Sequence, residues 1–318
     1  MTNTVFLNAA KLDFDNLLDF SPLSGLTTFT SYPDSGDEEI IERVQGQEIV
    51  ITKEMVIGKE LIDRFPASVK LICEAGTGYN NIAIEAARAR NIAVCNVPSY
   101  STEAVAQLAI TFILNLSASL VLQRIMIERK NFSNFTDRLQ VPHFELQGKT
   151  LGVIGYGAIA REVIRIAQTL GMNILVNTRT PKPGSGGGLR FVSFEEMLGQ
   201  SDFVSIHCPL TPATRHLINR ESLSLMKPTA YIINTSRGQI IRESDLIEAL
   251  RNGTIAGAGL DVQEQEPPKL NNPLFGMDNV ILTPHIGWRR LESRQRLVRL
   301  MAGNIASFLE GNPVNIVN

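Results

Sequence analysis

"LGVIGYGAIARE", residues 151–162, decides the fold. A run of apolar, strand-forming residues stops at Gly155, and Gly157 and Ala160 follow in a G-x-G-x-x-A pattern before a helix-forming stretch begins. Gly155 permits a tight turn, Gly157 lets backbone approach a pyrophosphate, and the small Ala160 lets helix pack against strand. The helix N-terminus then offers unpaired N–H groups to an anion. A glycine-rich turn of this kind also serves tight packing with no ligand, so its surroundings carry the argument.

Downstream the pattern continues as "NILVN", "DFVSIHC", "AYIINTS", "IAGAGLDV" and "NVILTPH", short β-type runs separated by helical or polar stretches. Upstream, "VFLN", "EIVIT", "VKLICEAG" and "IAVCNVP" alternate with "DEEIIERV" and "NIAIEAARAR" in the same rhythm. Both halves predict parallel α/β sheets, and no sequence repeat relates them. A chain of 318 residues is also longer than one core usually supports, so two domains are expected. The closing segment places Leu291, Leu297, Met301, Ile305 and Phe308 at helical spacing before Gly311 and Pro313, an amphipathic terminal helix.

The strand after the glycine turn ends at Thr178, 23 residues past Gly155. Folds of this kind usually place a carboxylate there for the ribose 2′-hydroxyl. Here Arg179 follows, flanked by Thr178 and Thr180, with Lys182 close by in sequence. A guanidinium with two hydroxyls suits a 2′-phosphate that a carboxylate would repel. Charge-assisted hydrogen bonds contribute about 1.5–3 kcal/mol each, which sets a preference for NADP and still allows NAD. A solvated loop arginine is the plain alternative. The tract "PKPGSGGG" (181–188) reads as a glycine-rich loop.

Three more polar residues fall at strand ends: Arg237 in "INTSRGQII", Glu266 in "GLDVQEQEPP" and His285 in "LTPHIGW". Ligands of doubly wound sheets bind outside the carboxyl ends of strands, so all three are candidates for one crevice. Singly, each has an ordinary explanation as a surface ion-pair partner, a loop carboxylate or a turn histidine. Together they match the reduction of a 2-oxo acid. Arg237 grips the carboxylate and polarises the ketone. His285 is the proton donor and acceptor. Glu266 favours the charged imidazolium, which raises the pKa expected of His285.

"GYGAIA", "HCPLTPAT", "INTSRG", "GLDVQEQEP" and "LTPHIG" together resemble the D-isomer-specific 2-hydroxyacid dehydrogenase family, over most of the chain from about residue 70 onward. The resemblance implies a catalytic Arg237, Glu266 and His285. It implies a flavodoxin-like substrate domain formed by residues 1–100 plus 290–318, a Rossmann dinucleotide-binding domain over 101–289, a cleft between them, and a homodimer built partly by the apolar helix after residue 101. "AGTGYNNI", "CNVPSYSTEAVAQ" and "PHIGW" look like the glycerate dehydrogenase, or hydroxypyruvate and glyoxylate reductase, branch. That likeness implies a substrate-carboxylate loop at Ala75, Gly76, Thr77 and Gly78. It places cofactor contacts at Thr102, Ala158, Ile159, Thr214, Thr235 and Asp261, the last near the nicotinamide amide, with Cys208 and Pro209 lining the adenosine.

There are departures. Ala158, Ile159 and Ala160 stand where the branch commonly has Arg, Ile and Gly, so one side-chain contact to pyrophosphate is missing. "NFSNFTDRLQVPHF" lacks the usual aromatic cluster, and "WRRLESR" replaces small residues after Trp288. These changes bear on substrate choice more than on reaction type.

The remaining composition is that of an ordinary globular protein, with 44% hydrophobic residues and 30 Lys plus Arg against 32 Asp plus Glu. A formal charge of -2 offers nothing to nucleic acid or an anionic membrane. Cys73, Cys95 and Cys208 lie in apolar, strand-like contexts and read as reduced core thiols. With no secretory signal in "MTNTVFLNAAKLDF", a cytoplasmic location is expected. "AVAQLAITFILNLSASLVL" (104–122) has nearly the length of a membrane span, but Gln107, Asn115, Ser117 and Ser119 interrupt it, so a buried helix is expected. His207 and His216 read as structural, in a strand and at a helix start, while His143 and Trp288 receive no role. No metal-type spacing is present, and no metal is expected. A formate-type dehydrogenase is disfavoured by Glu266, since no proton need reach such a substrate. A dinucleotide-sensing corepressor predicts interaction tails, and the chain is expected to end almost where the fold does.

Overall fold

The computed structural model describes residues 1–180 and 188–318. Lys182 and residues 181–187 of the glycine-rich tract lie outside the described residues. The chain divides into two compact units, Met1–Ser101 with Trp288–Asn318, and Thr102–Gly287.

The first unit is built on a parallel sheet of β1 (Asn3–Phe6), β2 (Thr28–Ser31), β3 (Ile49–Thr52), β4 (Leu71–Glu74) and β5 (Ala93–Cys95), in the order β2-β1-β3-β4-β5. Strands "IVIT" and "LICE" are buried at every position. Burial at every position, with apolar residues up to the closing Thr52 and Glu74, is what a parallel sheet covered on both faces requires. Phe6, Leu12, Leu23 and the terminal helix Leu291–Leu309 form one apolar layer, with Leu297, Met301 and Ile305 inward. Ile40, Leu61, Ile62 and Val69 belong to the other. The terminal helix is further held by Arg294, only 2% exposed, which pairs with Asp15 through two N–H groups and donates to the Leu12 carbonyl. Strand order reverses between β1 and β3, the position where a doubly wound sheet opens a crevice at its carboxyl ends.

The second unit holds β6 (Thr150–Ile154), β7 (Asn173–Asn177), β8 (Leu189–Phe191), β9 (Phe203–Ile206), β10 (Tyr231–Asn234), β11 (Gly257–Leu260) and β12 (Val280–Leu282). All pair in parallel, in the order β12-β11-β10-β9-β6-β7-β8. The reversal lies between β6 and β9, so the glycine turn after β6 and His207 and Cys208 after β9 flank the crevice of this sheet.

The apolar run 104–122 forms two helices rather than one. Helix Thr102–Ala118 is buried along most of its length and packs on the sheet and on helix Ala158–Thr169. At Ser119 the backbone turns left-handed (φ 51°), and helix Leu120–Glu128 leaves at 57° with no buried residue. Ser119 Oγ donates to the Pro142 carbonyl, and Asn115 Oδ1 accepts from Val121 N at 3.2 Å, so local side-chain bonds hold the break. No single helix among the described residues is long and apolar enough to cross a membrane. His216 is also placed differently from expectation. It sits in a turn with φ 53°, before helix Arg220–Ser224. His207 lies one residue beyond β9.

Candidate active site

The glycine turn is shaped as its residue types require. Gly155 has φ +93°, and a Cβ there would stand 2.9 Å from the Cys208 nitrogen and the His207 carbonyl oxygen. Both conformation and space demand glycine. Gly157 opens helix Ala158–Thr169 in extended conformation with no side-chain cap, and a Cβ on it would meet nothing within 4 Å. Open space before uncapped helical N–H groups, which include those of Ala158 and Ile159, fits a pyrophosphate. At the end of β7, Thr178 is half-buried while Arg179 and Thr180 are exposed. Among the described residues Arg179 has no acidic partner within ion-pair distance.

Cys208, buried behind the turn, has its thiol pushed up to about 11 by burial, so it is a small neutral wall. His207 donates or accepts at Nε2 with Ser205 Oγ, 2.8 Å away, and burial lowers its pKa to about 4. Thr214 closes its own turn: its Oγ1 accepts from Thr211 N at 2.8 Å and donates to the exposed Pro209's carbonyl at 2.6 Å. Thr235, just past β10, keeps a buried hydroxyl with no hydrogen-bond partner among the described residues. Thr102 begins its helix.

Arg237, Glu266 and His285 follow β10, β11 and β12, which are consecutive neighbours at one side of the sheet. His285 Nδ1 lies 2.8 Å from Glu266 Oε2. Glu266 Oε1 accepts from Gln263 N at 2.9 Å, so both carboxylate oxygens are engaged. Burial works to raise the Glu266 carboxyl, but the hydrogen bond and charge of His285, the Gln263 N–H and the Arg237 charge outweigh it and hold the group below its ordinary value. Arg237 donates to the Ser236 carbonyl at 2.8 Å, and its field reaches Glu266. His285 itself sits at φ 53°. Asp261 fixes that loop, accepting from Thr283 Oγ1 at 2.6 Å, Ile286 N at 2.8 Å and Gly287 N at 2.9 Å. Burial raises the Asp261 carboxyl against the pull of these donors.

A dinucleotide turn and a carboxylate-backed histidine with an arginine on adjacent strand ends narrow the chemistry to nicotinamide-linked reduction. The sequence profile described as "D-isomer specific 2-hydroxyacid dehydrogenase, NAD binding domain" matches residues 110–287. The chain belongs to this family. It is 38% identical over 284 residues to a hydroxypyruvate reductase of Blautia hydrogenotrophica, covering 88% of each chain. It is 40% identical over 286 residues to a glyoxylate reductase of Thermococcus litoralis, covering 88% of this chain and 86% of the relative. A solved glyoxylate reductase from Paecilomyes thermophila superposes with a TM-score of 0.85 at 31% identity, over 99% of this chain and 98% of that one.

This 2-hydroxyacid dehydrogenase is therefore an oxidoreductase that passes hydride between a nicotinamide dinucleotide and a small 2-oxo acid. Among the described residues, no group of three or more His, Cys, Asp or Glu side chains is arranged to hold a metal. Sequence reasoning missed the groups that brace the dehydrogenase's strand-end loops. His216 Nε2 lies 2.6 Å from Glu264 Oε1, and Glu264 Oε2 accepts from Glu243 N at 2.9 Å. Glu243 in turn accepts from Glu264 N and Asn272 Nδ2. Gly238 presses so closely on this segment that a Cβ would fall 1.8 Å from the Gln263 carbonyl oxygen. The spacing of Glu264 two residues before Glu266 was the available signal, but its partners are remote in sequence.

Proposed function

We propose that this dehydrogenase reduces hydroxypyruvate or glyoxylate to D-glycerate or glycolate, with NADPH preferred and NADH accepted. The observation that carries the reading is the 2.8 Å contact between His285 Nδ1 and Glu266 Oε2, beside Arg237 at neighbouring strand ends. The nicotinamide ring, when bound, supplies the hydride that C2 of the oxo acid accepts. Arg237, in no ion pair among the described residues, presents its guanidinium to the substrate carboxylate and ketone oxygen. His285, with Nδ1 engaged by Glu266, gives the proton on Nε2 to the ketone oxygen as the alcohol forms. Glu266 stabilises the imidazolium before transfer and keeps the Nδ1 proton in place afterwards.

The Gly155–Ile159 turn is assigned to pyrophosphate, and Thr178, Arg179 and Thr180 to the 2′-phosphate. Thr102, Cys208, Pro209, Thr214, Thr235 and Asp261 are assigned to the rest of the dinucleotide. The Thr235 hydroxyl, buried and unpartnered among the described residues, supports its inclusion. In the first unit, Ala75–Gly78 follows β4, and among the described residues the N–H groups of Thr77 and Gly78 have no internal acceptor, which supports a substrate-carboxylate role. That unit is the proposed substrate domain. Apolar side chains exposed along residues 120–139, including Leu120, Ile127, Phe132, Phe135 and Leu139, support a homodimer, and a cytoplasmic location suits the reaction.

The test is oxidation of NADPH and NADH by purified protein with hydroxypyruvate, glyoxylate and pyruvate. Hydroxypyruvate or glyoxylate is expected to give the highest kcat/KM. His285→Ala is expected to lower kcat by about 10²–10⁴-fold with cofactor binding retained. Full activity in that variant would refute the assigned roles.

A further inference from the structure

A buried cation lies under the Ala75–Gly78 loop. Lys53, one residue past β3, is 1% exposed. Its Nζ donates to Glu54 Oε1 at 2.7 Å and stands 3.9 Å from the centroid of the Trp288 ring. It also abuts the loop backbone: a Cβ on Gly76 would lie 3.4 Å from Nζ and 3.3 Å from Glu74 Oε1. Glu74, the last residue of β4, is fully buried and accepts from Thr52 Oγ1, Glu54 N and Asn81 Nδ2. Burial pushes its carboxyl up, against the pull of the Lys53 charge and those donors.

An ammonium carries three N–H donors, and here one carboxylate oxygen and one aromatic face receive it. Keeping such a group from water is costly unless its charge is answered. Glu54 answers part of it from a side chain that is 37% exposed and therefore well hydrated. Glu74, buried beside it, answers a further part, and its oxygens are shared with Thr52 Oγ1, Glu54 N and Asn81 Nδ2. Next to Gly76 in the loop, Thr77 and Gly78 present N–H groups that have no internal acceptor among the described residues. A carboxylate settling on those two N–H groups would meet the Lys53 charge across one layer of backbone.

We propose that Lys53 is the buried counter-charge for the substrate carboxylate on the Ala75–Gly78 loop, and that Glu54 competes with substrate for it. This rests on reading that loop as substrate-binding. Lys53 is then a substrate-affinity residue, acting on every 2-oxo acid through the group they share. Trp288, the sole tryptophan, holds the ammonium against its ring face.

Steady-state kinetics of Lys53→Met, Lys53→Arg, Glu54→Gln and Thr77→Pro test this, with oxamate binding followed through Trp288 fluorescence. K53M is expected to raise the KM for hydroxypyruvate and the Kd for oxamate by about ten- to a hundredfold, the scale of two opposite unit charges about 6–10 Å apart at an effective dielectric of about 20. Its kcat and its KM for NADPH stay within about threefold, the split expected of uniform binding. K53R retains most of the affinity. E54Q, by releasing the ammonium, lowers the KM, a change of sign that a purely structural cluster would not produce. A KM within twofold of wild type in K53M, or a KM raised in E54Q as in K53M, overturns the proposal. Should K53M not fold, the sign in E54Q decides. A KM raised by T77P and untouched by K53M refutes Lys53 while the loop reading stands; no effect from either refutes both.

Discussion

Arg179→Ala should shift cofactor preference by an amount that follows from its exposure. Its side chain is exposed and has no acidic partner among the described residues, so it meets a 2′-phosphate in a nearly aqueous dielectric. Two unit charges about 4 Å apart in water interact by about 1 kcal/mol. A phosphate monoester carries about 1.5 to 2 negative charges at neutral pH, giving about 1.5–2 kcal/mol. Each 1.4 kcal/mol is about tenfold, so the ratio of kcat/KM for NADPH over NADH should fall about 10- to 30-fold at low salt. At physiological ionic strength, where the screening length is about 8 Å, the fall should shrink to about five- to eightfold. The assay is kcat/KM for both cofactors with hydroxypyruvate at two salt concentrations. A ratio within twofold of wild type, or a fall that ignores salt, refutes the reasoning. The constancy of NADH kinetics in the same variant is the internal control.

Two further outcomes follow from groups around the sheet's carboxyl edge. Gly238→Ala places a Cβ 1.8 Å from the Gln263 carbonyl, so the Arg237 and Glu266 segments must part, and kcat/KM should drop by about a hundredfold or more; a drop below threefold contradicts this. His207 titrates near 4 when folded, below its ordinary 6.5, so the native state refuses a proton that the unfolded chain accepts. Stability from this group is complete above pH 6.5 and is lost as pH falls to 4, by about 2–3 kcal/mol after allowing for its partial exposure. Urea midpoints measured from pH 7.5 down to 4.5 should fall less steeply in His207→Gln than in wild type, and equal slopes would dismiss the assignment.

The sequence was most legible where one local pattern decides a backbone shape. Gly155 and Gly157 mark the turn because no other residue fits the first position, and unbroken apolar runs mark the strands because both sheet faces are covered. Arg237, Glu266 and His285 were visible as polar residues at strand ends, since topology alone gathers those ends on one edge. The break at Ser119 was not visible, because it depends on a left-handed residue held by Asn115 and by Pro142, 23 residues away. Composition reports that a helix is apolar, and it does not report where that helix bends. Lys53 was hidden for a similar reason: its meaning comes from Gly76, Glu74 and Trp288, brought to it only by pairing of β3 with β4 and by the return of the chain terminus. His216 and Glu264 met across 48 positions.

Consecutive placement of β10, β11 and β12 makes the sheet a fixed ruler for the chemistry. Neighbouring strands stand about 4.8 Å apart, so the strand ends Asn234 and Leu282, from which the chain runs on to Arg237 and His285, are about 10 Å from one another across the middle strand. Backbone hydrogen bonds hold those strand ends at that interval, so the base from which the two side chains reach toward one another is set by the sheet.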